Sequence, residues 1–421
     1  MVRRVHIKGY KSLRDVEVEL EPLTVLVGPN DSGKSNFLDA LQLLSRMTTL
    51  QTLRVAFDPP HRGNPIESFT FGPQGIRSVL QKDVVRLSIE VDVELSDEVI
   101  KTVNQQIRAL RQRDNKAMVK EKYLRYRIEI ENRPQKGSLR VSDEHLSALR
   151  SDGQPKKRRP FIEWEHDHVK LRFEGRGHPT YFNHFLDHAV LSRSFYPLHH
   201  PHVVAMQQEL SRWFFYYFEP RERMRAPNPV KEVRHIGFMG EELSAFLNTL
   251  KSERPRQFNA LEKALRLIVP SITGIDVKVD NLGQVELQLR EGDMLIPARL
   301  VSEGTLRVLG LLTLGGIHEM PALLGFEEPE NGVHPRRIEL IADYLRTQEA
   351  IGKTQIIATT HSTVLVDLIP LKSLYVCSKV RGETKVRPLE SSFHKLDIEK
   401  MLREDLDSSV SELMLRGDLD A

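Results

Sequence analysis

The order of apolar and polar positions divides the chain into recognisable elements. Residues 2–20 alternate, with Val5, Ile7, Val16, Val18 and Leu20 separated by polar positions. A period of two predicts two half-buried strands, joined through residues 9–15. Leu23-Thr-Val-Leu-Val27 is a short, mostly apolar run and reads as a buried strand. Phe37, Leu38, Leu41 and Leu44 then recur at helical spacing, to about Arg46. An irregular stretch follows, punctuated by Pro59, Pro60, Gly63, Pro65, Gly72, Pro73 and Gly75. Val85 to Leu95 alternates over much of its length and reads as a strand.

Residues 96–235 change in character. Val99 to about Lys122 reads as one charged helix, Arg125 to Ile130 as a strand, residues 151–160 as a polar basic loop, and Phe161 to Phe173 as a hairpin. Residues 211–218 (SRWFFYYF) are the most aromatic segment. Packing against the main core is the common use of such a cluster, and a base-stacking platform is the alternative. Further on, Leu243–Leu250 and Phe258–Ile268 are helical, and Ile275–Val279 and Val285–Leu289 form a hairpin around Asn281-Leu-Gly283. A helix opens near Leu300 and runs to about Gly315. Ala322–Phe326 and Gln355–Ala358 read as buried strands, and Pro335 starts the helix between them. A strand pair and an acidic helical tail complete the chain.

Composition narrows the class. The 421 residues are 40% hydrophobic and 28% charged, which fits a globular chain of two or three domains. We divide it at 1–95, 96–235, 236–370 and 371–421. The net charge of +3 permits a nucleic-acid partner without arguing for one. The single cysteine, Cys377, excludes a disulfide framework and suits a reducing cytoplasm. No apolar run is long enough to span a membrane, and Val308–Ile317 is too short. The N-terminus has no apolar stretch of the signal-peptide kind.

The chemistry starts at Gly28-Pro-Asn-Asp-Ser-Gly33-Lys34-Ser35-Asn36, which fits the P-loop pattern between a strand and a helix. Glycines let backbone N–H groups turn in on a phosphate chain, and the helix N-terminus adds its positive dipole. Asn30, Gly33, Lys34, Ser35 and Asn36 are therefore candidate ATP ligands, with Lys34 on the β- and γ-phosphates and Ser35 on Mg²⁺. Glu327 ends a buried strand and can join Ser35 on the metal. Glu328 follows it, points elsewhere because side chains alternate along a strand, and can act as general base toward water. His361, at the tip of another strand, can donate to the γ-phosphate. Ser302, Glu303 and Gly304 begin a helix and offer a second anion site.

In this order the motifs resemble an ABC-class ATPase of the RecF/SMC/OLD group, most closely the single-chain AAA-type ATPases related to OLD nucleases. The P-loop resembles Walker A, and Val301-Ser-Glu-Gly-Thr305 resembles the ABC signature. Gly325-Phe-Glu-Glu-Pro-Glu-Asn-Gly-Val-His-Pro335 resembles Walker B with its D-loop, and Thr360-His-Ser362 resembles the H-loop. The resemblance covers roughly residues 1–95 and 236–370. It implies an α/β fold, an ABC-type P-loop ATPase head with an inserted α+β domain, and a homodimer closed over two ATP molecules. Glu328 and His361 would be catalytic, and Ser302 and Gly304 would meet the partner's nucleotide. Gly9-Tyr-Lys11-Ser12 resembles the group's N-terminal element, whose basic residue, here Lys11, reaches the nucleotide. Two features depart from the pattern. Glu327 stands where Walker B usually has Asp, and no Q-loop is obvious; Gln74 is the candidate metal ligand by position alone.

The interval from Ser35 to Ser302 is too long for a transporter subunit. The 99–122 segment is too short for an SMC arm, and residues beyond Pro370 are too few for an OLD nuclease domain. We therefore expect an ATP-driven switch in a nucleic-acid process, phage defence with an effector encoded nearby being one setting. A repair or chromosome-maintenance ATPase and a regulatory scaffold for a partner protein are the alternatives. Lys156-Lys-Arg-Arg159 is the clearest nucleic-acid hint, a solvated surface loop being its other explanation.

Overall fold

The computed structural model describes residues 1–110, 117–165, 168–174, 178–183, 186–316, 320–392, 410, 412 and 414. Its first sheet is antiparallel and built from β1 (Val2–Tyr10), β2 (Leu13–Glu19), β4 (Val85–Glu94), β5 (Tyr123–Arg133), β6 (Ser138–Ala148), β7 (Ile162–Glu165), β8 (His168–Leu171) and β9 (Thr180–Asn183), in the order β2-β1-β4-β5-β6-β7-β8-β9. The second sheet contains β3 (Leu23–Val27), β10 (Trp213–Tyr216), β15 (Leu323–Glu327), β16 (Gln355–Thr360), β17 (Leu374–Val380) and β18 (Glu383–Pro388), in the order β10-β15-β16-β3-β17-β18. All its neighbours are parallel except β17 and β18. A smaller sheet holds β11 (Asn228–Pro229), β12 (Ile272–Val279), β13 (Gln284–Glu291) and β14 (Met294–Pro297).

These sheets form layers. The P-loop helix, Lys34–Thr49, lies between the first two, and Phe37, Leu41 and Leu44 join one core with Val5, Ile7, Ile89 and Ile128. That core also takes Leu26, Leu323, Ile357 and Cys377 from the near face of the parallel sheet. The opposite face, with Leu23, Val25, Val27, Phe326 and Ile356, packs against helices Leu243–Glu253, Pro255–Ile268, Glu303–Thr313 and Pro335–Ile351. Burial on both faces is why these strands read as apolar runs, while β1 and β2, open on one face, alternate.

The middle segment differs from the expected picture in two places. The helix is Asp97–Ala109, capped by the Ser96 side chain, and residues 117–122 lead without regular structure into β5; residues 111–116 lie outside the described ones. The helix cannot extend to Lys122 because Leu95 and the β4–β5 pairing draw Lys122 back to the sheet, where Leu95 N donates to Lys122 O. The division at residue 95 also falls within one continuous sheet, since β5–β9 extend β4. Glu144 helps hold this extension together: it is fully buried, accepts from Tyr126 Oη and from the Val190 and Leu191 N–H groups, and burial pushes its carboxyl up to about 7. The aromatic 211–218 segment supplies β10, an edge strand beside β15, with Trp213, Phe215 and Tyr216 buried. Core packing, not a stacking platform, is its use. The acidic tail lies almost wholly outside the described residues.

Candidate active site

Strand β3 ends at Val27, and the chain turns through Gly28–Gly33 into the P-loop helix. Gly28 (φ 147°) and Gly33 (φ 100°) hold conformations that L side chains rarely adopt. Neither has space for a side chain: a Cβ on Gly28 would sit 2.2 Å from the Cys377 carbonyl oxygen, and one on Gly33 2.0 Å from Thr384 Oγ1. Asn30 is exposed at the loop's turn. Lys34 is buried, and its Nζ donates to the Gly28 and Pro29 carbonyls at 2.7 and 2.8 Å, inside the ring of the loop. Burial lowers its pKa, while Glu328, Glu327 and Glu330 act in the opposite direction.

Across the loop, β15 brings Glu327 to Ser35, whose hydroxyl donates to Glu327 Oε1 at 2.5 Å. The pair has the hard oxygen donors that Mg²⁺ prefers, and two protein ligands are the usual number when substrate phosphates and water complete the shell. The glycine cradle and the Ser35–Glu327 pair therefore fit a nucleotide with Mg²⁺. Glu328 leaves the strand with φ 47°, so a turn as well as the pleat separates it from Glu327. Its N–H donates to Thr359 O at 3.1 Å, and its Oε1 lies 3.1 Å from His361 Nδ1. Parallel pairing of Glu327 with Thr359 is what places the two loops side by side.

Ser302 caps the helix Glu303–Thr313, accepting from Thr305 N at 3.3 Å. A Cβ on Gly304 would lie 2.6 Å from Gly332 O, so this helix start rests on the turn that follows Glu328. Lys11 is held by Asp39, 2.8 Å from Nζ to Oδ2. Asn36 donates to Ser12 Oγ at 2.8 Å, which in turn meets Thr384 Oγ1 at 2.7 Å, and Thr384 donates to Ser32 O at 2.8 Å. Gln74 is exposed in the turn Gly72–Gly75 and makes no hydrogen bond to Ser35 or Glu327.

Arg62 stands at the Glu327 carboxylate instead. It donates to Glu327 Oε2 and lies 3.3 Å from Asp39 Oδ1, forming a chain Lys11–Asp39–Arg62–Glu327–Ser35. Its charged form is favoured by Asp39 and Glu327, although burial opposes it. The sequence reading missed Arg62, Asp39, Thr384 and Glu330. Asp39 left a signal, a carboxylate within the apolar run of a buried helix. Arg62 left none, coming from the stretch read only as irregular.

Crystal structures of SMC heads share the fold. The SmcHead bound to the C-winged helix domain of ScpA superposes with a TM-score of 0.52 at 13% identity, over 93% of this chain and 99% of that one. The Smc head with an extended coiled coil, bound to the C-terminal domain of ScpA derived from Pyrococcus furiosus, gives 0.50 at 11% identity, over 96% and 99%. A segment of 44 residues is 41% identical to the OLD nuclease of Thermus scotoductus (strain ATCC 700910 / SA-01); it is 10% of this chain and spans only 8% of that protein. The pattern of one family runs through residues 23–367, from β3 past His361. With an ABC-type head fold and a family match over most of its length, the chain belongs to the AAA-domain family described as "AAA domain, putative AbiEii toxin, Type IV TA system".

Proposed function

We propose that this protein is a Mg²⁺-dependent ATPase that works as a switch, two chains closing over two ATP molecules. The observation that carries the reading is the Ser35–Glu327 contact beside the Glu328–His361 pair, at the mouth of a glycine cradle. Lys34 and the loop N–H groups would bind the phosphates. Ser35 and Glu327 would hold Mg²⁺, which would supply charge neutralisation to the phosphates. Glu328, held by His361, would orient a water and take its proton. His361 is half exposed, which supports a contact with the γ-phosphate as its role. Ser302 is exposed at the other helix start, so it is available to a second chain in a two-fold arrangement. Ser302→Arg is expected to leave ATP binding by the monomer unchanged and to abolish hydrolysis. Sedimentation of Glu328→Gln with and without ATP reads the dimer directly. Hydrolysis at the wild-type rate by Ser302→Arg would rule out sites shared between chains.

The switch would act in the cytoplasm on nucleic acid. The loop 154–159 is exposed; Lys156 and Arg158 pair with Glu121, whereas Lys157 and Arg159 make no ion pair among the described residues. Reversing the charge of Lys156, Lys157, Arg158 and Arg159 should weaken nucleic-acid binding and flatten its salt dependence without changing basal hydrolysis. If the wild type binds no nucleic acid at low salt with ATP present, an effector protein is the better partner. No described helix is long and apolar enough to cross a membrane.

A further inference from the structure

Glu330 is buried to 5% exposure two residues beyond Glu328. Its Oε1 accepts a hydrogen bond from Thr360 Oγ1, and Oε2, also buried, makes none among the described residues. Thr360 is fully buried and is the residue before His361; its Oγ1 also accepts from Ser362 N at 3.0 Å. A relay thus runs from the backbone after His361, through Thr360, to Glu330. At its far end Glu330 belongs to the tight turn that carries Glu328: Asn331 N donates to Glu328 O at 3.1 Å, and Val333 N to Glu330 O at 3.0 Å. Burial also raises the Glu330 pKa, and both Glu328 and His361 are near enough to influence it. A buried carboxyl between two loops is costly unless it holds something, and an apolar residue would fill the same space at lower cost.

We propose that Glu330 is a positioning residue for the Glu328–His361 pair, tying the turn of one to the strand end of the other so that base and phosphate-contacting imidazole keep one geometry. The proposal rests on the ATPase reading for its kinetic consequence. Glu330→Leu and Thr360→Val each remove the tie with little change of volume. Both should lower kcat by about 100-fold, the scale on which small misplacements of catalytic groups act. KM and nucleotide affinity should stay near wild type, because the P-loop is untouched. Glu330→Gln can still accept from Thr360 and should restore most of the rate. Wild-type kcat in Thr360→Val, or equal losses in Glu330→Gln and Thr360→Val, would overturn the proposal. Should Glu330→Leu not fold, Thr360→Val and Glu330→Gln carry the comparison. A second readout needs no hydrolysis. The His361 ring resonances, identified with His361→Gln, should move in Thr360→Val and stay in Glu330→Gln. A wild type without ATPase activity would sink the proposed function while this NMR comparison still decides the tie; unmoved resonances in Thr360→Val would refute it.

Discussion

Glu328→Gln is expected to bind ATP as tightly as the wild type and to lose at least ~100-fold in turnover, the usual contribution of a general base. The substitution keeps the size and one acceptor oxygen of the side chain. It leaves the Thr359 backbone contact that holds residue 328 in its φ 47° turn. It removes the carboxylate that can take a proton from water and that faces His361 Nδ1 at 3.1 Å. The phosphate cradle, Lys34 and the Ser35–Glu327 pair are unaltered, so binding and chemistry should separate. Equilibrium titration with a fluorescent ATP analogue and single-turnover phosphate release measure the two halves. Normal turnover in this variant would remove Glu328 from the role of base.

Gly28→Ala should cost about 3 kcal/mol or more of stability and abolish ATP binding, by adding one methyl group. The Cβ would overlap a backbone carbonyl in β17, at 2.2 Å from Cys377 O. That strand cannot retreat, because Val376 pairs with Val27 and the Cys377 side chain is locked in the core. The φ of 147° is itself strained for alanine. Either β3 and β17 separate or the loop turns its N–H groups out of the cradle. Gly75→Ala is the control: it too has positive φ, 63°, but beyond its chain neighbours no heavy atom of the described residues lies within 4 Å of its Cβ. Its cost should be about 1 kcal/mol, from the backbone alone. Urea unfolding and nucleotide titration on both variants give the comparison. Equal destabilisation of the two would mean that the contact with β17 is soft and that the loop is not shaped by it.

Much of the candidate site was legible because its parts are local. The P-loop, the Ser302 cap, Glu327 at a strand end and His361 beyond another are each set by a few neighbouring residues. Their order along the chain was enough to suggest one fold. The aromatic segment 211–218 was read correctly as core, though its partner strand was open. The helix drawn to Lys122 failed because charge and composition continue across a boundary that is set by β4–β5 pairing. Gln74 was assigned from position alone, and its turn places it on the surface, away from any contact with Ser35 or Glu327.

The hydrophobic pattern was sufficient for the strands buried on both faces and for the helix behind the P-loop, since burial and periodicity are properties of short stretches. Tertiary structure alone decided which distant side chains complete the site. Arg62 meets Glu327 from 265 residues away, and Thr384 reaches Ser12 across 372. Glu330 meets Thr360 only because β15 and β16 pair in parallel with Glu327 opposite Thr359. No local pattern encodes such meetings, because they depend on strand order and register, which the whole core selects at once.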